Sequence, residues 1–186
     1  MSNVRQLGHA HMLNIRPYSP SDYTACMSIF RSNVPTYFSP QEESSFSEFL
    51  TDSKAMLVCG EQEGRVVAFG GYYVKGSIGR LCWGMVHSGS HRRGFGTELL
   101  GARMQGLLQR PEVQVIQATT SQHSAGFFSR LGFEQQSVVE NGHAVGLHVI
   151  EMQCIAASNQ QSPNPSIERT ALSQLRCLKS AAHVER

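Results

Sequence analysis

The chain has 186 residues, 40 % of them hydrophobic, with 16 Lys and Arg against 14 Asp and Glu, a net charge of +2 and a pI near 8.3. That composition supports one substantial core, and its charge balance gives no global field for nucleic acid or an anionic membrane. The five cysteines (Cys26, Cys59, Cys82, Cys154, Cys177) form no C-x-x-C pair and the histidines lack zinc-ligand spacing, so neither a disulfide framework nor a metal site is expected.

Residues 1–11 read as an extension before the first strand, "MLNIRPYS", which Pro17 ends. In "SPSDYTACMSIFRSN" either Ser19 or Ser21 is a helix cap, Pro20 falls near the first turn, and Tyr23, Cys26, Met27 and Phe30 recur at helical spacing. A proline-bounded loop follows, with aromatic Tyr37 and Phe38, and then a short helix carrying Phe46, Phe49 and Leu50.

"AMLVCGEQEGRVVAFGGYYV" predicts a hairpin turning at Glu61 to Gly64, and "GRLCWGMVHS" the next strand, on which Cys82 and Trp83 alternate faces. "GFGTELLGARMQGLLQR" predicts a helix whose Phe95, Leu99, Leu100, Arg103, Met104, Leu107 and Leu108 share one stripe, ended by Pro111. "EVQVIQATTSQ" reads as a strand, "SAGFFSRLGF" as a helix closed by Gly132, and "EQQSVVENGHAVGLHVIEMQCI" as a last hairpin turning at Asn141–Gly142. From residue 156 to 186 a polar tail of low order is expected, with at most one short helix at Ile167 to Leu178. Residues 1–17 hold no long apolar stretch and no later run approaches ~18 apolar residues, so a cytoplasmic protein without a membrane span is expected.

Chemistry concentrates at "SGSHRRGFGTELL", where a strand passes through a Gly- and Ser-rich loop into a helix. Free N–H groups at a helix start, with the helix dipole behind them, favour an anion. Gly94 and Gly96 let a phosphate approach the backbone, and Arg92 and Arg93 add charge. The spacing is neither a Walker A loop nor a dinucleotide fingerprint. A tight turn into an ordinary helix is the other reading of the glycine pair.

This stretch resembles the coenzyme motif of the Gcn5-related N-acetyltransferase (GNAT) superfamily, Q/R-x-x-G-x-G/A after a strand, with His91 at the Gln/Arg position and Gly94 and Gly96 as the glycines. "FFSRLGFE" at 127–134 is similar to the superfamily's second landmark, and the two stand in the expected order. The likeness covers residues 12–155, an N-acetyltransferase domain. It implies an α/β fold with a mixed, mostly antiparallel central sheet flanked by helices, and acetyl-CoA as cosubstrate without a metal. The acceptor it implies is an amine on a small molecule or peptide, and it leaves room for a homodimer.

By the same resemblance the pyrophosphate lies over His91, Arg92, Arg93, Gly94, Phe95, Gly96 and Thr97. The pantetheine arm lies beside the backbone of Met85, Val86 and His87. The tyrosine that usually protonates the departing thiolate corresponds to Phe128, which cannot donate a proton and is read as packing against the arm or the core. Ser124 is a substitute donor or a helix cap. The strand before the loop holds no carboxylate, so Glu42, after the aromatic loop, is the candidate catalytic group, or else an exposed helix-start acid. Tyr37, Phe38, Tyr72 and Tyr73 either shape the acceptor pocket or belong to the core. The alternative to an enzyme is a coenzyme-binding or regulatory protein that keeps the fold.

Overall fold

The structure is a computed structural model that describes residues 12–156. The extension expected at 1–11 and the tail expected from 157 onward lie outside the described residues. Ala156, assigned to the tail from sequence, is buried and donates its N–H to the Gln114 carbonyl at 2.8 Å.

The elements run β1 (Asn14–Pro17), α1 (Tyr23–Ser32), α2 (Glu43–Asp52), β2 (Met56–Gln62), β3 (Arg65–Lys75), β4 (Ile78–Val86), α3 (Phe95–Leu108), β5 (Val115–Thr120), α4 (Gln122–Arg130), β6 (Glu134–Ala144) and β7 (Leu147–Ile155). This is the predicted order. The strands form one sheet in the order β1-β2-β3-β4-β5-β7-β6, antiparallel except for β4 beside β5. The fold is thus the mixed, mostly antiparallel α/β architecture expected.

Two turns contrast. Glu63 and Gly64, both left-handed (φ 51° and 74°), close β2 on β3 where the sequence places a turn. The last hairpin departs from expectation, because Ala144 pairs with Leu147 and the turn is Val145–Gly146. Asn141 is left-handed (φ 57°) but serves an irregular stretch of β6. Its N–H donates to His148 Nδ1 at 3.1 Å and its Oδ1 accepts the Gly146 N–H at 2.7 Å, so it braces the turn from within the strand that leads into it.

Side chains on a strand alternate between faces, and the contacts of β3 assign the two layers. Phe69 packs with Cys26, Phe30 and Phe46 of α1 and α2, while neighbouring Ala68 packs with Phe95 and Leu99 of α3. Leu100, Met104 and Leu107 extend the α3 side over Leu81 and Ile116.

Strand β4 breaks the alternation. Its Cys82 pairs with Gly71 and its Met85 with Phe69, so Trp83 and Gly84 together face the single residue Gly70. This is a β-bulge, and Trp83 takes the left-handed φ of 48°. Cys82 and Trp83 consequently lie on the same face, against α2's Phe49, rather than alternating as the sequence suggests. Trp83 joins a cluster with Phe30, Phe38 and Phe46, at ring separations of 6.3, 5.8 and 5.1 Å. On the opposite face Gly70 and Gly84 leave a bed that the Arg103 guanidinium of α3 occupies.

A Cβ at Gly84 would stand 2.6 Å from Arg103 Nη2, whereas one at Gly126, exposed on α4, would meet only Arg130 Nη1 at 3.8 Å. Urea denaturation is expected to find Gly84→Ala destabilised by about 1–3 kcal/mol through overpacking. Gly126→Ala should be stabilised by roughly 0.5–1 kcal/mol through helix propensity.

Candidate active site

β4 and β5 are paired only from Ile78–Val115 to Leu81–Ala118. Past that point β4 bulges while β5 continues beside β7 to Thr120. The strands part, and a cleft of about 510 Å³ opens between them. Trp83 to Val86 line one wall and Thr119 to Ser121 the other. The start of α3 stands at one end, α4 along the side, and Tyr37 and Phe38 of the α1–α2 loop opposite.

The α3 end begins at Gly94, left-handed at φ 87°, with open space where a Cβ would stand. Thr97 and Glu98 donate to the Gly94 carbonyl, at 2.9 and 3.2 Å. Phe95 and Gly96 occupy the first turn, where no intrahelical carbonyl reaches their N–H groups. At Gly96 a Cβ would touch Phe127 and Val86 only at ordinary contact distances, so packing inside the chain does not require glycine there. What the missing side chains give is an uncovered backbone facing the cleft, a cradle suited to a phosphate.

Of the residues expected to bind coenzyme, the cleft gathers Met85, Val86, His91, Arg92, Gly94, Phe95, Gly96, Thr97 and Phe128. His87 and Arg93 are not on its wall. His87 donates its backbone N–H to Val67 and accepts the Gly89 N–H on Nδ1, so it shapes the loop. Arg93 lies over the Phe95 ring at 4.9 Å. His91 lines the cleft but donates its Nε2–H to the Val86 carbonyl at 2.9 Å, which also accepts from Asn33 Nδ2 at 2.9 Å. Thus His91 fixes the loop to β4, and Arg92 is the exposed loop cation left facing the opening.

Phe128 packs edge-on against Phe127 and Phe133 at 5.4 and 5.2 Å, with one side on the cleft. Ser121, not Ser124, precedes α4 as its cap residue, and Ser124 lies on the cleft wall. Tyr72 and Tyr73 are absent from that wall. Cys82 is on it, and burial pushes its thiol up to about 11, which keeps it protonated near neutrality.

Glu42 stands behind the wall. Its Oε2 accepts the Ser39 N–H at 2.8 Å, and its Oε1 lies 3.4 Å from Nδ1 of His143, which does line the cleft. Burial pushes the Glu42 carboxyl up, but the His143 and Ser39 bonds outweigh it and leave it below the usual range. The bond to Glu42 raises His143, burial opposes it, and the Glu42 charge, the Thr120 carbonyl and Glu151 add to the rise. Sequence reading missed His143, since the pair joins residues 42 and 143 and has no local signature. Arg103 was visible only as a charge within an apolar stripe. Among the described residues no cluster is spaced to hold a metal and no helix is long and apolar enough to cross a membrane.

Solved acetyltransferases share this fold. The ribosomal-protein-S18-alanine N-acetyltransferase of Escherichia coli superposes with a TM-score of 0.67 at 19 % identity, over 84 % of this chain and 100 % of that one. An aminoglycoside 6′-N-acetyltransferase complexed with coenzyme A gives 0.63 at 15 %, over 81 % and 99 %. The ribosomal-protein-alanine N-acetyltransferase of Brucella melitensis gives 0.60 at 20 %, over 76 % and 98 %. Among curated proteins no sequence matches. The family model for the acetyltransferase (GNAT) domain matches residues 26–156, and the chain belongs to that family.

The Glu42–His143 pair contributes to stability only while both partners are charged. His143 is raised above its ordinary 6.5, so its share is full below 6.5 and is lost as pH rises through the folded value. Glu42 is depressed below 4.5, so its share is present above 4.5 and is lost as pH falls through the folded value. Urea denaturation of His143→Gln is expected to show a deficit of roughly 0.5–1 kcal/mol between those values, shrinking toward zero in alkaline buffer.

Proposed function

We propose that the protein transfers an acetyl group from acetyl-CoA to a primary amine of a small molecule or peptide, by direct attack of the amine on the thioester. The observation that carries this reading is the open N-terminus of α3 at the end of a cleft made by the parting of β4 and β5. The Phe95 and Gly96 amides and Arg92 would hold the pyrophosphate. Backbone groups of β4 beyond Leu81, which no longer pair with β5, would hold the pantetheine arm. The bound cosubstrate supplies an activated acyl carbon, and the remaining work falls to side chains of the chain itself.

The acceptor attacks as the neutral amine, its ammonium proton having gone to solvent. The nitrogen that has bonded must shed one more proton, so the site needs a base at the acceptor end. Glu42 takes that role indirectly in this reading. It holds His143 by Nδ1, and His143, which lines the cleft, would accept the proton from the acceptor. Tyr37 and Phe38 would border the acceptor, Tyr37 standing with its ring 5.6 Å from His91 and 6.0 Å from His123. The cleft wall includes no Asp or Glu among the described residues, which suits an acceptor with a single amine better than a polycation.

Release of free thiol from acetyl-CoA across a panel of amines tests the reading. Tight coenzyme binding without thiol release on any amine would instead favour a coenzyme-binding protein that keeps the fold. Activity is expected to rise with pH through the raised His143 value. Glu42→Gln removes the partner that raises it, so the acid limb of kcat/KM should move to lower pH, while His143→Gln should cut kcat about 100-fold.

A further inference from the structure

Arg103 is a buried charge of the cleft that the proposed reaction leaves without a task. It is only 4 % exposed and sits in the apolar stripe of α3 between Leu100 and Leu107, a place where apolar residues are the usual occupants. Its guanidinium lies across Gly70 and Gly84 at the β4 bulge. Nε donates to the Leu99 carbonyl at 3.3 Å and Nη1 to the Cys82 carbonyl at 3.4 Å, both long and both to neutral acceptors. No carboxylate pairs with it among the described residues. Burial lowers it to about 10, which still leaves it charged at neutral pH.

The third nitrogen, Nη2, donates to nothing in the described residues. Yet no fully occluded side-chain nitrogen or oxygen lacks a partner there, so Nη2 is not sealed into the core. Arg103 lines the cleft together with Gly84 and Phe128. A buried cation with neutral partners is costly unless negative charge comes to meet it.

We propose that Arg103 is a catalytic residue whose guanidinium balances the charge of the departing thiolate, in place of the proton donor that Phe128 cannot supply. The inference rests on the acyl-transfer reading above. In the step concerned, the amine nitrogen bonds to the thioester carbonyl carbon, the C–S bond breaks, and its electron pair leaves on sulfur. The amine enters neutral, and the one proton its nitrogen sheds on bonding passes to His143. One negative charge remains on sulfur, and Arg103, already positive, opposes it without giving up a proton. Its place is favourable for this, since it is held two turns into α3 and beside the bulge, deep in a poorly solvated site where a fixed charge acts strongly.

The test uses coenzyme A with its free thiol, bound to the full chain, and follows thiolate absorbance in the ultraviolet against pH. The bound thiol of the wild type should titrate on the order of one pH unit below that of free coenzyme. In Arg103→Met that displacement should vanish while the coenzyme Kd stays within about threefold, and kcat should fall by about tenfold to a hundredfold with KM little changed. A solely structural arginine would leave the thiol titration where it was. Arg103→Lys, which keeps a charge at shorter reach, should retain part of the displacement. If wild type binds coenzyme A and its thiol titrates like the free compound, the role of Arg103 is overturned and the acyl-transfer reading stands. If wild type binds no coenzyme A, both fall. If Arg103→Met does not fold, a wild-type thiol that titrates like the free compound still overturns the role, and Arg103→Lys, compared with wild type, carries the attribution.

Discussion

The two-for-one bulge in β4 is the constraint on which the rest of the molecule turns. Trp83 and Gly84 facing the single Gly70 does three things at once. It carries the indole to the α1 and α2 side, where it sits among Phe30, Phe38, Phe46 and Phe49. On the other side it sets two glycines together, the room in which a guanidinium can lie flat on the sheet. And it marks where β4 leaves β5, so that the cleft begins where the parallel pairing ends. A regular strand would have kept its partner and closed the opening with backbone hydrogen bonds.

The same region gathers parts that are far apart along the chain. Asn33, at the end of α1, donates to both the Ile29 and Val86 carbonyls, at 2.8 and 2.9 Å, and so locks that helix to the end of β4. Phe38, five residues on, stacks on Trp83. Glu42, four residues further, completes a capping box at Ser39 and reaches His143 on β6. One loop therefore touches the bulge through an aromatic ring and the far edge of the sheet through a charge. A shift of the loop would disturb both walls of the cleft together.

How far this was legible in the sequence follows from the range of each interaction. Helices and strands come from local periodicity and their order was read in full, because eleven successive elements each carry their own signal. The glycine loop was likewise local, so the α3 end of the cleft was found where expected. The errors fall where tertiary contact overrides a local rule. Alternation put Cys82 and Trp83 on opposite faces, but a bulge depends on what the neighbouring strand offers, here the unbranched Gly70. Asn141–Gly142 has the chemistry of a tight turn, yet Val145–Gly146 makes it, with Asn141 supporting from the strand. The pairing of Glu42 with His143 spans a hundred residues and has no local trace.

The cations of the cleft differ in kind, and their burial says what each can do. Arg92 and Arg130 are exposed on its wall, without an ion-pair partner among the described residues, and long flexible side chains of that sort act through a screened field. Such charges help an anion arrive and hold it loosely, and added salt weakens them. Arg103 is buried, its position set by two glycines, two carbonyls and the helix it belongs to. It cannot follow a ligand, and salt reaches it poorly, so it suits a charge that forms at one fixed place rather than one that diffuses in. Exposed charge at the rim and fixed charge at depth is the division that the packing of α3 against a bulged strand creates.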